Sequence, residues 1–330
     1  MPETALPTDI VQRLETAFEK RNSLLNDPEN DALRVFNGFY EGCSAFSLDL
    51  YGDTAVILWM NKSLRPAAAD LEVLRDCCLE KLPGVRTVLL KDRFSPNAEI
   101  RKGQLLSGEA PAAGIHEWGI PYDIDLRLNK DCGFYLDSAL LRRWLLNHAA
   151  GKRVLNTFAY TGSLGDAAEA GGALAVTQTD LNRNYLREKH PRQEYISGDF
   201  FDVTSRLRRS ERLFDIIILD PPLYARAGRG AKVDMLKHTA ALVNKVRPLA
   251  AHEGKLIVIN NALFLSGQDF LSEMEALCGP YLAVSELIPV PPAFYGFDPI
   301  PAEKLPADPS PFNHTTKILV LATFRKDGRK

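Results

Sequence analysis

Arg153-Val154-Leu155-Asn156-Thr157-Phe158-Ala159-Tyr160-Thr161-Gly162-Ser163-Leu164-Gly165 reads as a short apolar strand that passes through a glycine-bearing turn into a helix. The run Arg153–Phe158 suits a strand buried on both faces, and Leu164–Ala170 carries helical spacing after it. The pattern recurs downstream. Leu174–Asp180, Phe214–Asp220 and Lys255–Asn260 are further short apolar runs, with helices expected near Asn182–His190, Val203–Arg208 and Val233–Ala251. Strand–helix alternation predicts an open parallel sheet with right-handed crossovers. The tail breaks the pattern: Leu282–Ile288 and Thr315–Phe324 are strand-like, yet only a proline-rich loop, Pro289–Pro311, joins them. Two strands without a crossover helix predict an antiparallel pair closing the sheet. The expected fold class is α/β, a Rossmann-like sheet.

Upstream, residues 1–112 read as a small α+β domain and 113–330 as the domain of the alternating pattern. Ile10–Leu25 is amphipathic, with Val11, Leu14, Phe18 and Leu25 at helical spacing. Strands are expected over Leu33–Tyr40, Ala45–Leu50, Ala55–Met60 and Val85–Leu90, and a helix from Pro66 to Leu82. Ser107–Gly119, rich in Gly, Ala and Pro, reads as a linker or exposed hairpin. Nothing in this first domain looks catalytic. Substrate recognition is the role left to it.

Ligands in open parallel sheets sit at the carboxyl ends of the strands, near the point where strand order reverses. Four such ends carry polar or glycine residues. Gly162 and Gly165 permit a tight turn that brings amides close to a ligand, and the helix start beyond them offers unpaired N–H groups to a carboxylate. Asp180 ends the second strand and can accept both hydroxyls of an adenosine ribose. Gly198-Asp199-Phe200 is a third end. Asp180 and Asp199 would each serve equally as helix caps. Asp220-Pro221-Pro222 ends the fourth strand, where two prolines fix the chain, remove two donors and leave carbonyls free. The Gly-x-Gly-x-x-Gly fingerprint is absent, which disfavours a nicotinamide enzyme.

Three runs together, Gly133-Phe134-Tyr135-Leu136-Asp137, Val154–Ser163 and Asp220-Pro221-Pro222-Leu223-Tyr224, resemble the class I S-adenosylmethionine-dependent ribosomal RNA large-subunit methyltransferase family of RlmI/RlmK type. The resemblance covers roughly residues 30–325. Asp180–Leu186 and Ile259-Asn260-Asn261 look closer to the guanine-N7 half of RlmKL than to the cytosine-C5 branch. It implies S-adenosyl-L-methionine as cofactor, held by Phe134, Asp137, Asn156, Phe158, Tyr160, Thr161, Gly162, Ser163, Asp180, Leu181, Asn182, Asp199, Phe200 and Asp220. It implies catalysis by Asp220, Pro221, Pro222 and Tyr224, and ribosomal RNA as partner. One position departs from the family: the Arg usual two residues after the Asp of its Phe-x-Leu-Asp motif is Ala139, with Arg142 and Arg143 following.

The choice of acceptor follows from chemistry. Methylating cytosine C5 requires thiolate attack at C6, and Asn260 and Asn261 stand where that branch has its Cys. Guanine N7 presents a bare lone pair, so orientation alone lowers its barrier. Exocyclic amine methylation is the near rival, disfavoured because Leu223 separates Pro222 from Tyr224. Tyr224 is able to stack on a base or to pack in its loop. Asn260 and Asn261 are able to read a base edge or to cap their strand. Arg226, Arg229 and Lys232 form a basic segment suited to phosphates, and Arg206, Arg208, Arg209 and Arg212 a second cluster suited to a solvated face. The net charge of -2 gives no general support for nucleic-acid binding, and keeps a small-molecule or protein acceptor as the alternative. Five cysteines without a Cys-x-x-Cys pair predict free thiols in a cytoplasmic protein and no metal site. No export signal or membrane span is apparent.

Overall fold

The computed structural model describes residues 6–186, 191–222, 224–226, 232–234, 239–262, 265–294 and 316–330, with backbone alone for 224–226 and 232–234. The chain forms two compact units, Met1–Asp137 with Pro291–Pro299, and Ser138–Val290 with Ile300–Lys330.

The first unit contains α1 (Ile10–Lys20), α2 (Asn22–Leu25), β1 (Ala32–Phe36), β2 (Phe46–Tyr51), β3 (Thr54–Trp59), α3 (Ala68–Lys81), β4 (Thr87–Asp92), α4 (Ala98–Lys102), β5 (Gln104–Ser107), β6 (Gly114–Glu117) and β7 (Ile120–Asp123). Strands β1 to β5 form one sheet in sequence order. Helix α1 buries Ile10, Leu14, Ala17 and Phe18, while Val11 is exposed. Phe36, Phe46 and Trp59 stack in succession at 5.1 and 5.9 Å in the same core. Trp59 donates its indole N–H to the Leu64 carbonyl at 2.7 Å, so its one polar atom is satisfied.

The boundary falls later than residue 112, for a local reason. Gly114–Asp123 is a hairpin bound to the first unit: the Asp31 amide donates to the His116 carbonyl (3.0 Å) and the His116 amide to Asp31 Oδ1 (2.6 Å). Tyr51 then donates its hydroxyl to the Phe134 carbonyl at 3.1 Å. Arg21 and Asn37 donate to the carbonyls of Ala293 and Phe294, each at 2.9 Å, which draws that segment of the proline-rich loop into this unit.

The second unit contains α5 (Ala139–His148), β8 (Arg153–Thr157), α6 (Ser163–Ala170), β9 (Ala175–Asp180), β10 (Gln193–Ser197), α7 (Phe200–Arg209), β11 (Phe214–Leu219), β12 (Tyr224–Arg226), β13 (Lys232–Asp234), α8 (Thr239–Val246), β14 (Ala250–Asn260), α9 (Gly267–Glu275), β15 (Leu282–Ile288) and β16 (Lys317–Thr323). Seven strands form one sheet in the order β10-β9-β8-β11-β14-β16-β15. The first five are mutually parallel, and β16 runs antiparallel between β14 and β15, as expected for the tail.

Burial on both faces explains why these strands read as continuous apolar runs. Ile216 and Ile218 face the core that includes Leu141 and Leu145 of α5 and Leu164, Ala167 and Ala168 of α6. Ile217 and Leu219 face the opposite core, with Val203 and Leu207 of α7, Val243 and Val246 of α8, and Phe270 of α9. Fully burying each such side chain is worth about 1.5–3 kcal/mol.

Two expected helices differ. Residues 182–186 form a turn, and 187–190 lie outside the described residues. The Val233–Ala251 segment splits: Val233 pairs with Ala225 in the β12–β13 hairpin, the helix is confined to α8, and Ala250 already belongs to β14. Pro248 marks the break, since its ring cannot continue a helix.

Candidate cofactor and catalytic site

Strand order reverses between β8 and β11: the chain steps outward from β8 through β9 to β10, then returns to β11 on the other side. The carboxyl ends of β8 and β11 therefore flank a crevice of the kind that holds ligands. Thr157 and Leu219, paired in register, are the last residues of the two strands before it.

The turn after β8 is held in an unusual shape. Phe158, Tyr160 and Gly162 all have left-handed backbones, with φ of 55°, 51° and 92°. For residues with a Cβ this conformation costs about 1–2 kcal/mol each, and it persists because neighbours over-determine it. The Tyr160 amide donates to Asp180 Oδ2 at 2.9 Å, the Ala159 amide to the Thr179 carbonyl at 2.9 Å, and the Gly162 amide to the Ala159 carbonyl at 2.9 Å. The Phe158 ring stacks on Phe200 at 4.8 Å, and Tyr160 meets Tyr185 edge-on at 4.7 Å. Gly162 is the N-cap of α6 and, as a glycine, supplies no side-chain cap to it. Its first-turn amides and dipole are thus presented to whatever lies in the crevice.

Asp180 also accepts the Asn182 amide at 2.8 Å. A carboxylate offers about four lone-pair sites, so two backbone donors leave acceptor capacity for a pair of hydroxyls. Leu181 beside it is 64% exposed, an apolar surface at a strand end. Asn182 closes the turn by accepting the Asn184 amide. Asp199 is the N-cap of α7 and accepts from the amides of Phe201 (2.8 Å) and Asp202 (3.4 Å), so the capping alternative holds for it. A cavity of about 320 Å³ adjoins it, lined also by Gly198, Asp202, Arg206 and Arg209. A strained loop, a glycine-capped helix start, a carboxylate with spare acceptors and an exposed leucine together fit a nucleoside bearing an amino-acid carboxylate.

Several candidates sit elsewhere than expected. Asn156 is 1% exposed; its amide donates to Gln178 Oε1 at 3.0 Å, so its side chain belongs to the interior. Gly162 and Gly165 face the Gln178 side chain, where an added Cβ would stand 2.7 and 2.4 Å from its atoms. Their small size answers to Gln178 first. Phe134 is buried in the first unit against Tyr122 at 5.1 Å, a core position, and Asp137 lies in a short 3-10 turn, Leu136–Ser138. Asn260 is wholly buried and its Oδ1 accepts the Ala262 amide at 2.9 Å, the strand-capping arrangement. Asn261 donates to Asp220 Oδ1 at 3.1 Å and accepts from Thr316 at 3.2 Å. It braces Asp220 from the neighbouring strand end.

Pro221 is buried and Pro222 exposed. Tyr224 pairs with Asp234, and Arg226 with Lys232, across β12–β13. This puts the two cations at one register of a hairpin. The side chains of Tyr224, Arg226 and Lys232, and all of Arg229, lie outside the described residues. Arg212 is paired with Glu194 at 2.7 Å and is structural. Among the described residues no cluster of His, Cys, Asp and Glu is suited to a metal ion, and no helix is long and apolar enough to cross a membrane.

Residues 63–306 match the family model of S-adenosylmethionine-dependent methyltransferases. Among relatives, the chain is 26% identical over 287 residues to YwbD of Bacillus subtilis (strain 168), named among the ribosomal RNA large subunit methyltransferases, covering 81% of this chain and 70% of that one. It is 29% identical over 250 residues to ribosomal RNA large subunit methyltransferase I of Alteromonas mediterranea (67% and 60% covered). It is 27% identical over 272 residues to methyltransferase K/L of Photobacterium profundum, where it spans 77% of this chain but only 37% of that enzyme. In fold it is similar to SMU.776, solved with SAH and assigned as a methyltransferase, with TM-score 0.78, 24% identity and coverage of 97% and 83%. The reversal in strand order, the antiparallel closing pair and the match over residues 63–306 make this chain a member of the S-adenosylmethionine-dependent methyltransferase family, with RlmI/RlmK-like enzymes among its relatives.

Proposed function

We propose that the protein transfers a methyl group to a base of large-subunit ribosomal RNA, and that the base is guanine, at N7. The observation that carries the base is Asp220, which follows the buried residues Ile216–Leu219 and is braced by Asn261 at 3.1 Å, with no cysteine at the carboxyl end of β8, β9, β10, β11 or β14. Cys132 is buried in the first unit, where desolvation pushes its thiol up to about 12, and Cys278 follows α9 and donates to the Met274 carbonyl. A covalent cytosine mechanism needs a thiolate; guanine N7 needs orientation only. Ribosomal RNA is supported by the names of the relatives above.

When bound, S-adenosylmethionine supplies an electrophilic methyl on a sulfonium. In this reading Asp180 holds the ribose hydroxyls, and the first-turn amides of α6 hold the carboxylate. Leu181 and Phe200 flank the base of the nucleoside. Asp220 and the carbonyls freed by Pro221 and Pro222 orient the acceptor base, and Tyr224 stacks on it. Arg226, Arg229 and Lys232 meet phosphates.

The test is mapping of modified ribosomal nucleotides in a strain lacking this protein against its parent, with methylation of the unmodified RNA by the purified chain. Loss and restoration of one 7-methylguanosine is expected. A missing 5-methylcytosine or exocyclic methylamine would replace the base, and an unchanged map would overturn the RNA reading.

A further inference from the structure

Gln178 lies in the middle of β9, 1% exposed, with its side chain on the same face as Asp180. Its amide is fixed from two sides. Asn156 of β8, its register partner, donates to Oε1 at 3.0 Å, and Gln178 Nε2 donates to Gln193 Oε1 of β10. Gln193 in turn donates to Asp166 (3.0 Å) and Glu169 (2.7 Å) of α6. A buried chain of amides thus ties three strands to the helix that follows the glycine turn. Every link is a polar group that would be costly to leave unmade in the interior.

The turn rests on this amide. A Cβ at Gly162 would approach Gln178 Nε2 to 2.7 Å, and one at Gly165 would approach Cδ to 2.4 Å. A flexible side chain elsewhere would swing aside, but here both ends of the amide are bonded and the surroundings are packed. Strand β9 therefore holds the turn through three successive residues: Gln178 by its side chain from below, Thr179 by its carbonyl, and Asp180 by its carboxylate.

We propose that Gln178 is a positioning residue, the buried spacer that sets the height of the Phe158–Gly162 turn and of the first turn of α6, and through them the affinity for S-adenosylmethionine. It acts from beneath the backbone. The inference rests on this turn being the cofactor's seat.

The test is a rescue cycle read by calorimetric titration of the full chain with S-adenosylmethionine. Gly165→Ala should weaken binding at least tenfold, because the new methyl and the pinned amide cannot share the space. Gln178→Ala should weaken it a few-fold. The double variant Gly165→Ala/Gln178→Ala should bind more tightly than Gly165→Ala alone, recovering most of the loss. Additive losses would overturn the proposal, as would a wild-type affinity in Gly165→Ala. Should Gly165→Ala not fold, Gln178→Asn keeps the amide chemistry and retracts it by one methylene. It should lower the melting temperature and, at a temperature where the variant is still fully folded, lower affinity about fivefold; an unchanged affinity would again overturn the proposal. Asp180→Asn reports on the seat itself, so failure of that reading is distinguishable.

Discussion

Replacing Asp180 with Asn separates the two tasks that the structure gives this carboxylate. In the ligand-free protein it accepts the Tyr160 amide at 2.9 Å and the Asn182 amide at 2.8 Å. Asparagine keeps one acceptor oxygen and turns an NH2 toward the other donor. One charge-assisted bond, worth about 1.5–3 kcal/mol, is lost, and water at this half-buried strand end returns part of it, leaving roughly 1–2 kcal/mol. The left-handed Tyr160, which costs about 1–2 kcal/mol to maintain, loses its anchor at the same time. For a unit of this size each kcal/mol moves the melting temperature by about 2–4 °C. A ligand-free drop of roughly 2–8 °C follows. Binding adds a second loss, the ribose hydroxyl that no longer finds a charged acceptor, again about 1.5–3 kcal/mol, or roughly 10- to 150-fold in Kd. Thermal unfolding without ligand and calorimetry with S-adenosylmethionine read the two separately. A melting drop with unchanged affinity would leave Asp180 as a brace and move the ribose elsewhere. Wild-type values in both would refute the whole account of the turn.

Asn261→Ala should slow methylation of RNA about 10- to 100-fold under single-turnover conditions, since a brace lost 3.1 Å from Asp220 misplaces the acceptor by a fraction of an ångström; an unchanged rate counts against Asp220 as the orienting group. Cys132→Ser and Cys278→Ser should retain turnover, and a loss of several orders of magnitude in folded protein would restore the covalent cytosine mechanism. Asp215→Asn should cost about 1–2 kcal/mol at neutral pH. Burial raises the Asp215 carboxyl, but hydrogen bonds from Arg153 N, Nε and Nη2 more than offset this and hold it below the usual carboxylate range. Its contribution is then present above the unfolded carboxylate pKa and fades as pH falls through the lower folded value, so denaturant melts of the two proteins should converge in acid and diverge at pH 7. Neutralising Arg226, Arg229 and Lys232 should weaken RNA binding and flatten its salt dependence by about one unit per lost phosphate contact; a triple variant with the wild-type slope would remove these residues from the RNA interface.

The centre of the sheet was legible because β8, β11 and β14 are buried on both faces, whereas the edge strand β10, half exposed, left no apolar run to read. Ile216 to Leu219 alternate between two cores, so apolar continuity and position between helices were sufficient. Helix boundaries were less so. Val233 has the composition of a helix start, but its backbone pairs with Ala225, and a three-residue hairpin carries no periodicity to read. The carboxylates at the strand ends were found by position, yet position does not say what a side chain faces. Asn260 and Asn261 are adjacent and chemically identical; one turns inward to cap its own strand and the other reaches across to Asp220, a difference fixed by strand alternation and by Thr316, just ahead of β16. Gln178 carries a fainter signal. Thr177-Gln178-Thr179 interrupts an otherwise apolar strand position, and a buried glutamine demands partners.

That demand links the glycines to the function. Glycines in such a turn are commonly read as clearance for a ligand, but Gly162 and Gly165 are in contact with protein on their open side. The residues that give the turn its strain, Phe158 and Tyr160, have side chains that are themselves packed, on Phe200 and Tyr185. The turn is thus clamped from below by an amide and on its flanks by aromatic rings before any ligand arrives. Its amides and the glycine-capped start of α6 are set in advance, and a cofactor that binds there meets donors that need little reorganisation. Pre-organisation of this kind saves the ordering cost that a loose glycine loop would incur on binding, which is why a polar chain buried beneath the site, and not only the atoms lining it, governs affinity.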